Sequence, residues 1–293
     1  MKRVEGFILL VAGVWALGFQ LWLPSTHVAE SDYQAVAQML TNERQPGDVV
    51  LLAPWWTERA RIYVPEGLPV VGYIGSDGDA LERHPRIWVL SEPRLPRAGL
   101  GDFEKAFLPQ RSEVGSARQF GNLRLQLFTN GRYRPGVLEG ADALPSAQVY
   151  LESPDGQRQP CNWDGRGHRC GNNKTVAREW HDVHFAPYEC VRMDAPGGPN
   201  REVVEFVSPG AGTVSLSAGF PWEYGTRIDA PVPVTLEIDG RPMQLVLPAR
   251  SELMHRLDGG AVQAGSRIRV AVQADRPNDR VVCVTLRVAG GAP

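Results

Sequence analysis

The chain has 293 residues, 31 Lys and Arg against 33 Asp and Glu, and a formal net charge of −2. That length suits one large domain or two ordinary ones, and the near balance of charge, with no basic stripe among aromatics, excludes a nucleic-acid partner. The 31 Gly and 24 Pro favour short strands and many turns over a helical bundle.

In chain order, the first element is an apolar run. Lys2 and Arg3 precede an uncharged stretch from Phe7 to Leu23, and Glu30 and Asp32 follow it. Trp22 falls where an indole would meet a membrane interface, and Pro24 ends the stretch. This pattern predicts a transmembrane helix at residues 7–23 within an anchor of residues 1–30. The charge asymmetry places the N-terminus inside an inner (cytoplasmic) membrane and the remainder outside. A cleaved signal peptide is the rival reading, although "PSTHVAES" fits a cleavage site poorly.

Residues 31–130 alternate between helical and strand-like segments. "DYQAVAQMLTNER" spaces Tyr33, Val36, Ala37 and Leu40 as one helix face. "QPGDVVLLAP" turns at Pro46-Gly47 into an apolar run that predicts a strand buried on both faces. "WWTERARIYV" reads as a short helix, and "LPVVGY" and "RIWVLSE" as strands. "GDFEKAFLP" reads as two helical turns, and "SEVGSARQFGNLRLQLFT" as a closing hairpin. The alternation predicts a small α/β domain with a mainly parallel sheet. Trp55, Trp56 and Trp88 read as packing residues.

Residues 131–145 are turn-rich and lack apolar periodicity, which predicts a linker. Residues 146–293 differ in kind. "AQVYLES", "EVVEFVS", "GTVSLSAGF", "VPVTLEIDG", "RPMQLVLPA", "SRIRVAVQA" and "DRVVCVTLRV" are short, β-branched and mostly alternating. They predict an antiparallel β-sandwich or jelly roll. Asp239-Gly240 marks its clearest hairpin turn. The expected fold is therefore α/β plus all-β behind an N-terminal transmembrane helix.

One stretch carries a resemblance. Asp32, Tyr33, Ala37, Leu40, Pro46, Gly47 and Asp48, just after an apolar span, resemble the start of the soluble outer domain of multi-span polyprenyl-phosphate-sugar glycosyltransferases. The resemblance covers residues 7–130. The second half is similar to sandwich domains appended to bacterial envelope proteins. Those transferases build a lipid-sugar cavity from many spans and use an acidic residue on the first outer loop. This chain offers one span. The resemblance thus implies an outer domain without its membrane engine, working beside one.

The chemistry-bearing residues are concentrated in the second half. Cys161, Cys170, Cys190 and Cys283 form an even set, which in an exported domain reads as two disulfides. Three pairings exist, and sequence alone does not choose. The local bracket in "CNWDGRGHRC" favours Cys161–Cys170, leaving Cys190 for Cys283. Zinc is disfavoured. The spacings of Cys161 and Cys170 and of His181 and His184 miss the usual ligand pairs, His168 notwithstanding, and oxidised thiols do not ligate. The glycine-rich stretch 72–80 lacks phosphate-loop spacing and carries Asp77 and Asp79. No Gly-x-Ser-x-Gly elbow is present. The carboxylates Glu179, Asp182, Glu189, Glu223 and Asp229 would serve glycoside hydrolysis only if two faced each other, which spacing does not show. We therefore expect no catalytic residue, metal or cofactor.

Sugar recognition remains. Trp163, Trp180, Trp222, Tyr188 and Tyr224 fall at loops or strand ends, where a ring can meet the apolar face of a pyranose. "FPWEYGTR" groups Trp222, Glu223, Tyr224 and Arg227, and "CNWDGRGHRC" sets Trp163 among Asp164, Arg166 and His168. The bland alternative packs these rings in the core. The sequence reads as a membrane-anchored, non-catalytic protein outside the membrane that recognises envelope carbohydrate or a multi-span glycosyltransferase. The expected ligand-binding set is Trp163, Trp222, Glu223, Tyr224 and Arg227. The alternatives are a subunit or fragment of a lipid-linked-sugar glycosyltransferase and a structural envelope module.

Overall fold

The computed structural model describes residues 11–20, 22, 28–54, 57–72, 81–93, 105, 107–109, 111–171, 174–183, 186–225, 227–274 and 281–291. The chain divides into two compact units, Met1–Tyr133 and Arg134–Pro293.

The apolar run corrects the first expectation. Residues 11–20 and 22 are helical. Among the described residues no helix is long and apolar enough to cross a membrane. The transmembrane helix and the single-pass inner-membrane placement built on residues 7–23 are therefore not supported. Residues 7–10, 21 and 23 of that run lie outside the described residues.

In the first unit, α1 (Glu30–Glu43) turns Tyr33, Val36 and Leu40 into the core, the i, i+3, i+7 spacing of one helix face. A 3-10 turn, Glu58–Ile62, stands where the sequence suggests a short helix. The sheet has five strands, β1 (Val49–Ala53), β2 (Val70–Gly72), β3 (Arg86–Ser91), β4 (Arg111–Phe120) and β5 (Leu123–Asn130), in the order β2-β1-β3-β5-β4. β1 pairs in parallel with β2 and β3, whereas β3–β5 and β4–β5 are antiparallel. A mainly parallel sheet is therefore contradicted. The two longest strands join through a tight turn at Gly121-Asn122, a connection too short for the crossover that parallel strands need. Most of "GDFEKAFLP", all of residues 73–80, and Trp55 and Trp56 lie outside the described residues.

The "PGD" turn has a physical account. Gly47 sits at φ +87°, and a Cβ there would meet Pro85 at 3.2 Å. Asp48 is buried at the mouth of β1. It accepts hydrogen bonds from Arg86 Nε (2.8 Å) and Nη2 (2.7 Å), Trp88 Nε1 (2.8 Å) and the Gln45 amide (2.9 Å). Burial pushes the Asp48 carboxyl up. The hydrogen bonds from Arg86, Gln45 and Trp88 together outweigh that and hold it below the ordinary range. A carboxyl lowered by folding stabilises the native state above its unfolded pKa, and that contribution is lost as pH falls through the folded value. Asp48→Asn is accordingly expected to destabilise at pH 7 by about 2–3 kcal/mol and to lose less stability than the parent on acidification below pH 4. Parallel denaturant titrations at pH 7 and pH 3 check this.

The second unit is a β-sandwich. Its first elements are β6 (Gly136–Glu139), the helical turn α2 (Gly140–Ala143) and a 3-10 turn, Leu144–Ser146. These residues fall in the stretch expected as a linker, and β6 pairs with the last strand. Then follow β7 (Gln148–Glu152), β8 (Arg158–Pro160), β9 (Asn162–Trp163), β10 (Gly167–Cys170), β11 (Lys174–Val183), β12 (Ala186–Asp194), β13 (Arg201–Val207) and β14 (Gly212–Gly219). After the helical turn α3 (Trp222–Gly225) come β15 (Val232–Ile238), β16 (Arg241–Leu247), β17 (His255–Val262), β18 (Arg267–Gln273) and β19 (Val281–Ala289). One sheet runs β17-β14-β19-β12-β11-β10-β9 with β6 on β19, and the other β16-β15-β18-β13-β7-β8. Inward residues from both, including Val204, Phe206, Leu216, Leu236, Val284 and Leu286, make one core, as alternation along half-buried strands requires. The β15–β16 turn places Asp239 at φ 47° and Gly240 at φ 82°, the pair of positive values that a two-residue hairpin turn needs.

Both disulfides are formed, Cys161–Cys170 and Cys190–Cys283. The first closes the β9–β10 hairpin. The second joins β12 to the last strand beneath Val183, Tyr188 and Met254.

Candidate functional site

The β9–β10 hairpin is rigid for local reasons. Its turn, residues 164–167, is closed by the Asp164 amide donating to Gly167 O (3.0 Å). Gly165 takes φ +93°, which a side chain would resist. Asp164 Oδ1 accepts from the Arg166 and Gly167 amides (2.9 and 3.0 Å), and Oδ2 from Arg169 Nε (2.7 Å). The Arg169 hydrogen bond, with those two amides, brings the Asp164 carboxyl down to about 2. Cys161 is tied to β7 by its amide on Val149 O (2.8 Å). Staple, turn and strand contact together fix where Trp163 stands.

The register then decides which way Trp163 faces. Trp163 pairs with His168, and His168 with Val176 on β11. Paired residues of antiparallel strands share a face, and so do residues two apart. Trp163, His168, Val176, Arg178 and Trp180 therefore line one face. Val176 belongs to the core, whereas Trp163 and Trp180 remain 40% and 61% exposed. Trp180 is four residues along β11 and two strands across from Trp163, a separation of roughly 16 Å from strand rise and spacing.

Between the indoles this face is partly covered: Val176 and His168 are buried against Leu144, and Arg178 with its partners stays at the surface. His168 Nε2 donates to Leu144 O at 3.0 Å, since a carbonyl can only accept, and the His168 ring meets Trp163 edge-on at 4.9 Å. Arg178 pairs with Glu189 (2.6 Å) on β12 and with Asp142 (2.7 Å) on α2. The hydrogen bond to Glu189 raises the Arg178 pKa above its ordinary value. Glu189 stands directly across from Trp180, where cross-strand side chains touch. An exposed indole thus has a carboxylate and a guanidinium beside it, each held in place.

The other sequence-derived candidates are distributed differently. Trp222 is 45% exposed and Glu223 is exposed on α3, which lies against β11. Tyr224 packs partly into the core, and Arg227 is exposed beyond the turn. Trp163 and Trp222 therefore stand on separate elements. Among the suggested carboxylates, Glu179 bonds His181 (3.0 Å) and Arg192 (3.4 Å) on the opposite face of the β11–β12 hairpin from Glu189. The two cannot flank one glycosidic bond. His184 lies outside the described residues.

Trp180, Arg178 and Asp142 are absent from the expected ligand-binding set. The signal was in "KTVAREWHDV": Val176, Arg178 and Trp180 recur at period two, but an arginine beside a core valine hides the pattern.

No family model matches the sequence, and no curated protein matches it. Among solved structures, the chain is similar to the CBM51-2 and INT domains of Clostridium perfringens ZmpB in complex with GlcNAc, at 13% identity and a TM-score of 0.28. That match covers 48% of this chain and 25% of the other. The CBM36-1 domain of a multidomain xylanase from the hindgut metagenome of Trinervitermes trinervoides matches at 14% identity and TM-score 0.28, over 50% and 98% of the two chains. The xylan-binding module CBM15 matches at 12% and 0.27, over 50% and 93%. At these identities and TM-scores the likeness carries no argument about the site, whose reading rests on its own geometry.

Proposed function

We propose that the second unit recognises carbohydrate, with Trp163 and Trp180 as its contact rings. The observation that carries this is two exposed indoles on one sheet face, set beside polar groups that are already ordered. Large exposed aromatics with polar neighbours mark binding surfaces. An indole face suits the apolar C–H face of a pyranose, and carboxylate and guanidinium groups suit its hydroxyls. Ion pairs formed before binding lower the ordering cost at the moment of association. The disulfides belong to an oxidising compartment, so the ligand is a glycan met outside the reducing cytosol.

A panel of immobilised glycans, screened with the full chain, tests the reading. Trp180→Ala is expected to weaken binding at least tenfold, about 1.4 kcal/mol. Its melting temperature should hardly change, because the ring is exposed. Equal binding by parent and variant, or binding to no glycan, would contradict it.

A further inference from the structure

We infer that the ligand is an extended, uncharged glycan chain that bridges Trp163 and Trp180, rather than a single sugar held at one ring. This rests on the carbohydrate reading above. The first ground is distance. The two tryptophans share a face, and strand rise and spacing set their Cα atoms roughly 16 Å apart, farther than a single pyranose spans. About three linked residues are needed before one ligand meets the two rings.

The second ground is rigidity. Trp163 is held by the Cys161–Cys170 staple and by the edge of the His168 ring. Trp180 is held on a strand paired with β12. Neither anchor can move toward the other without breaking a ladder or a disulfide, so the ligand must supply the length. Two linked contacts then act as one, the second being intramolecular once the first has formed.

The third ground is charge. This face presents the guanidinium of Arg178 against the carboxylates of Glu189 and Asp142. One cation among two anions repels a polyanion, while the same groups still bond hydroxyls.

Calorimetry with a ladder of neutral oligosaccharides, mono- to hexasaccharide, from the backbone that the glycan panel selects tests this. Polygalacturonate serves as the acidic probe. Affinity is expected to rise at least tenfold between di- and tetrasaccharide and then level off. Trp163→Ala and Trp180→Ala should each abolish that rise, so that affinity no longer depends on chain length. Trp163→Tyr, which keeps a ring, should restore part of the rise and controls for local unfolding of the hairpin. Equal affinity for short and long chains, with one tryptophan alone sensitive, would overturn the bridge and leave carbohydrate recognition standing. Polygalacturonate binding as tightly as the neutral chains would overturn the charge argument. Binding at no length would overturn both this inference and the reading beneath it.

Discussion

Replacing Cys190 and Cys283 together by alanine is expected to destabilise the second unit by about 4.7 kcal/mol, the largest effect of any change short of disrupting the core. The bridge spans a sequence separation of 93 residues, and the stabilisation grows with the loop closed in the unfolded chain. Both cysteines are fully buried, beneath Val183, Tyr188 and Met254. The bridge also joins β12 to β19, adjacent strands whose register pairs Arg192 with Cys283. For a unit of this size the loss corresponds to a fall in Tm of roughly 10–20 °C. The matching Cys161→Ala/Cys170→Ala variant removes a bridge whose loop is about a tenth as long and should lose about 2.7 kcal/mol. Its particular consequence is a freed Trp163. Scanning calorimetry of the two variants ranks them, and a reversed order would show that the long bridge is not what holds the last strand.

Arg269→Met is expected to cost about 3 kcal/mol or more at pH 7, because it strands carboxylates on the outer face of the six-stranded sheet. Arg269 donates to Glu237 Oε1 (2.9 Å), to Glu152 Oε1 (2.8 Å) and to the Tyr150 hydroxyl (3.0 Å). The Tyr150 hydroxyl in turn donates to Glu205 Oε2 at 3.1 Å. The Glu152 and Glu205 side chains are only 6% and 8% exposed. Arg201 (2.6 Å) and Arg158 (3.5 Å) still reach Glu152 when Arg269 is gone, which keeps the cost near the low end for a broken buried pair. Burial pushes the Glu152 carboxyl up, and Arg201 and Arg269 more than reverse this, so it lies below its usual value. The network therefore stabilises above the unfolded pKa, and the contribution is lost as pH falls through the folded one. The gap between parent and variant should be widest at pH 7 and close below about pH 4. Adding Glu205→Gln to Arg269→Met should recover part of the loss at pH 7, and a double-mutant cycle measures how much. A gap independent of pH would mean that lost packing, and not stranded charge, explains the variant.

The sandwich was legible in the sequence wherever a strand has one face in the core and one in water. Val232–Ile238 alternates without a break, and its burial alternates with it. The hairpin at Asp239-Gly240 was legible for the same reason, since turn chemistry is local. β11 and β12 were not. Arg178 and Trp180 share a face with the core residue Val176, while Ala177 and Cys190 are buried on the other. Neither face reads as purely apolar or polar, so period-two analysis finds no strand there. β17 was obscured by Gly259 and Gly260 in its middle. The candidate site lies in this illegible part, where a local rule fails because the residues serve something other than the core.

The small sheet shows the opposite error. Helix and strand segments do alternate between residues 30 and 91, and β1 to β3 are parallel as that alternation implies. The inference failed on extending the rule to β4 and β5, which pair back as a hairpin. Within the candidate site, Trp163 was identifiable because two cysteines frame it. Trp180 was a candidate ring as well, but its place on the same face as Trp163 required the register, which no single sequence shows.

The most direct test follows the indole N–H signals by NMR while the chain is titrated with the oligosaccharide it binds best. Each tryptophan gives its own signal, assigned by single substitutions. The Trp163 and Trp180 signals are expected to shift together and saturate at one stoichiometry. Trp88, fully buried and bonded to Asp48, should stay fixed. Shifts confined to Trp222, or saturation that leaves Trp163 and Trp180 unmoved, would place recognition elsewhere on the molecule and contradict the assignment of this face.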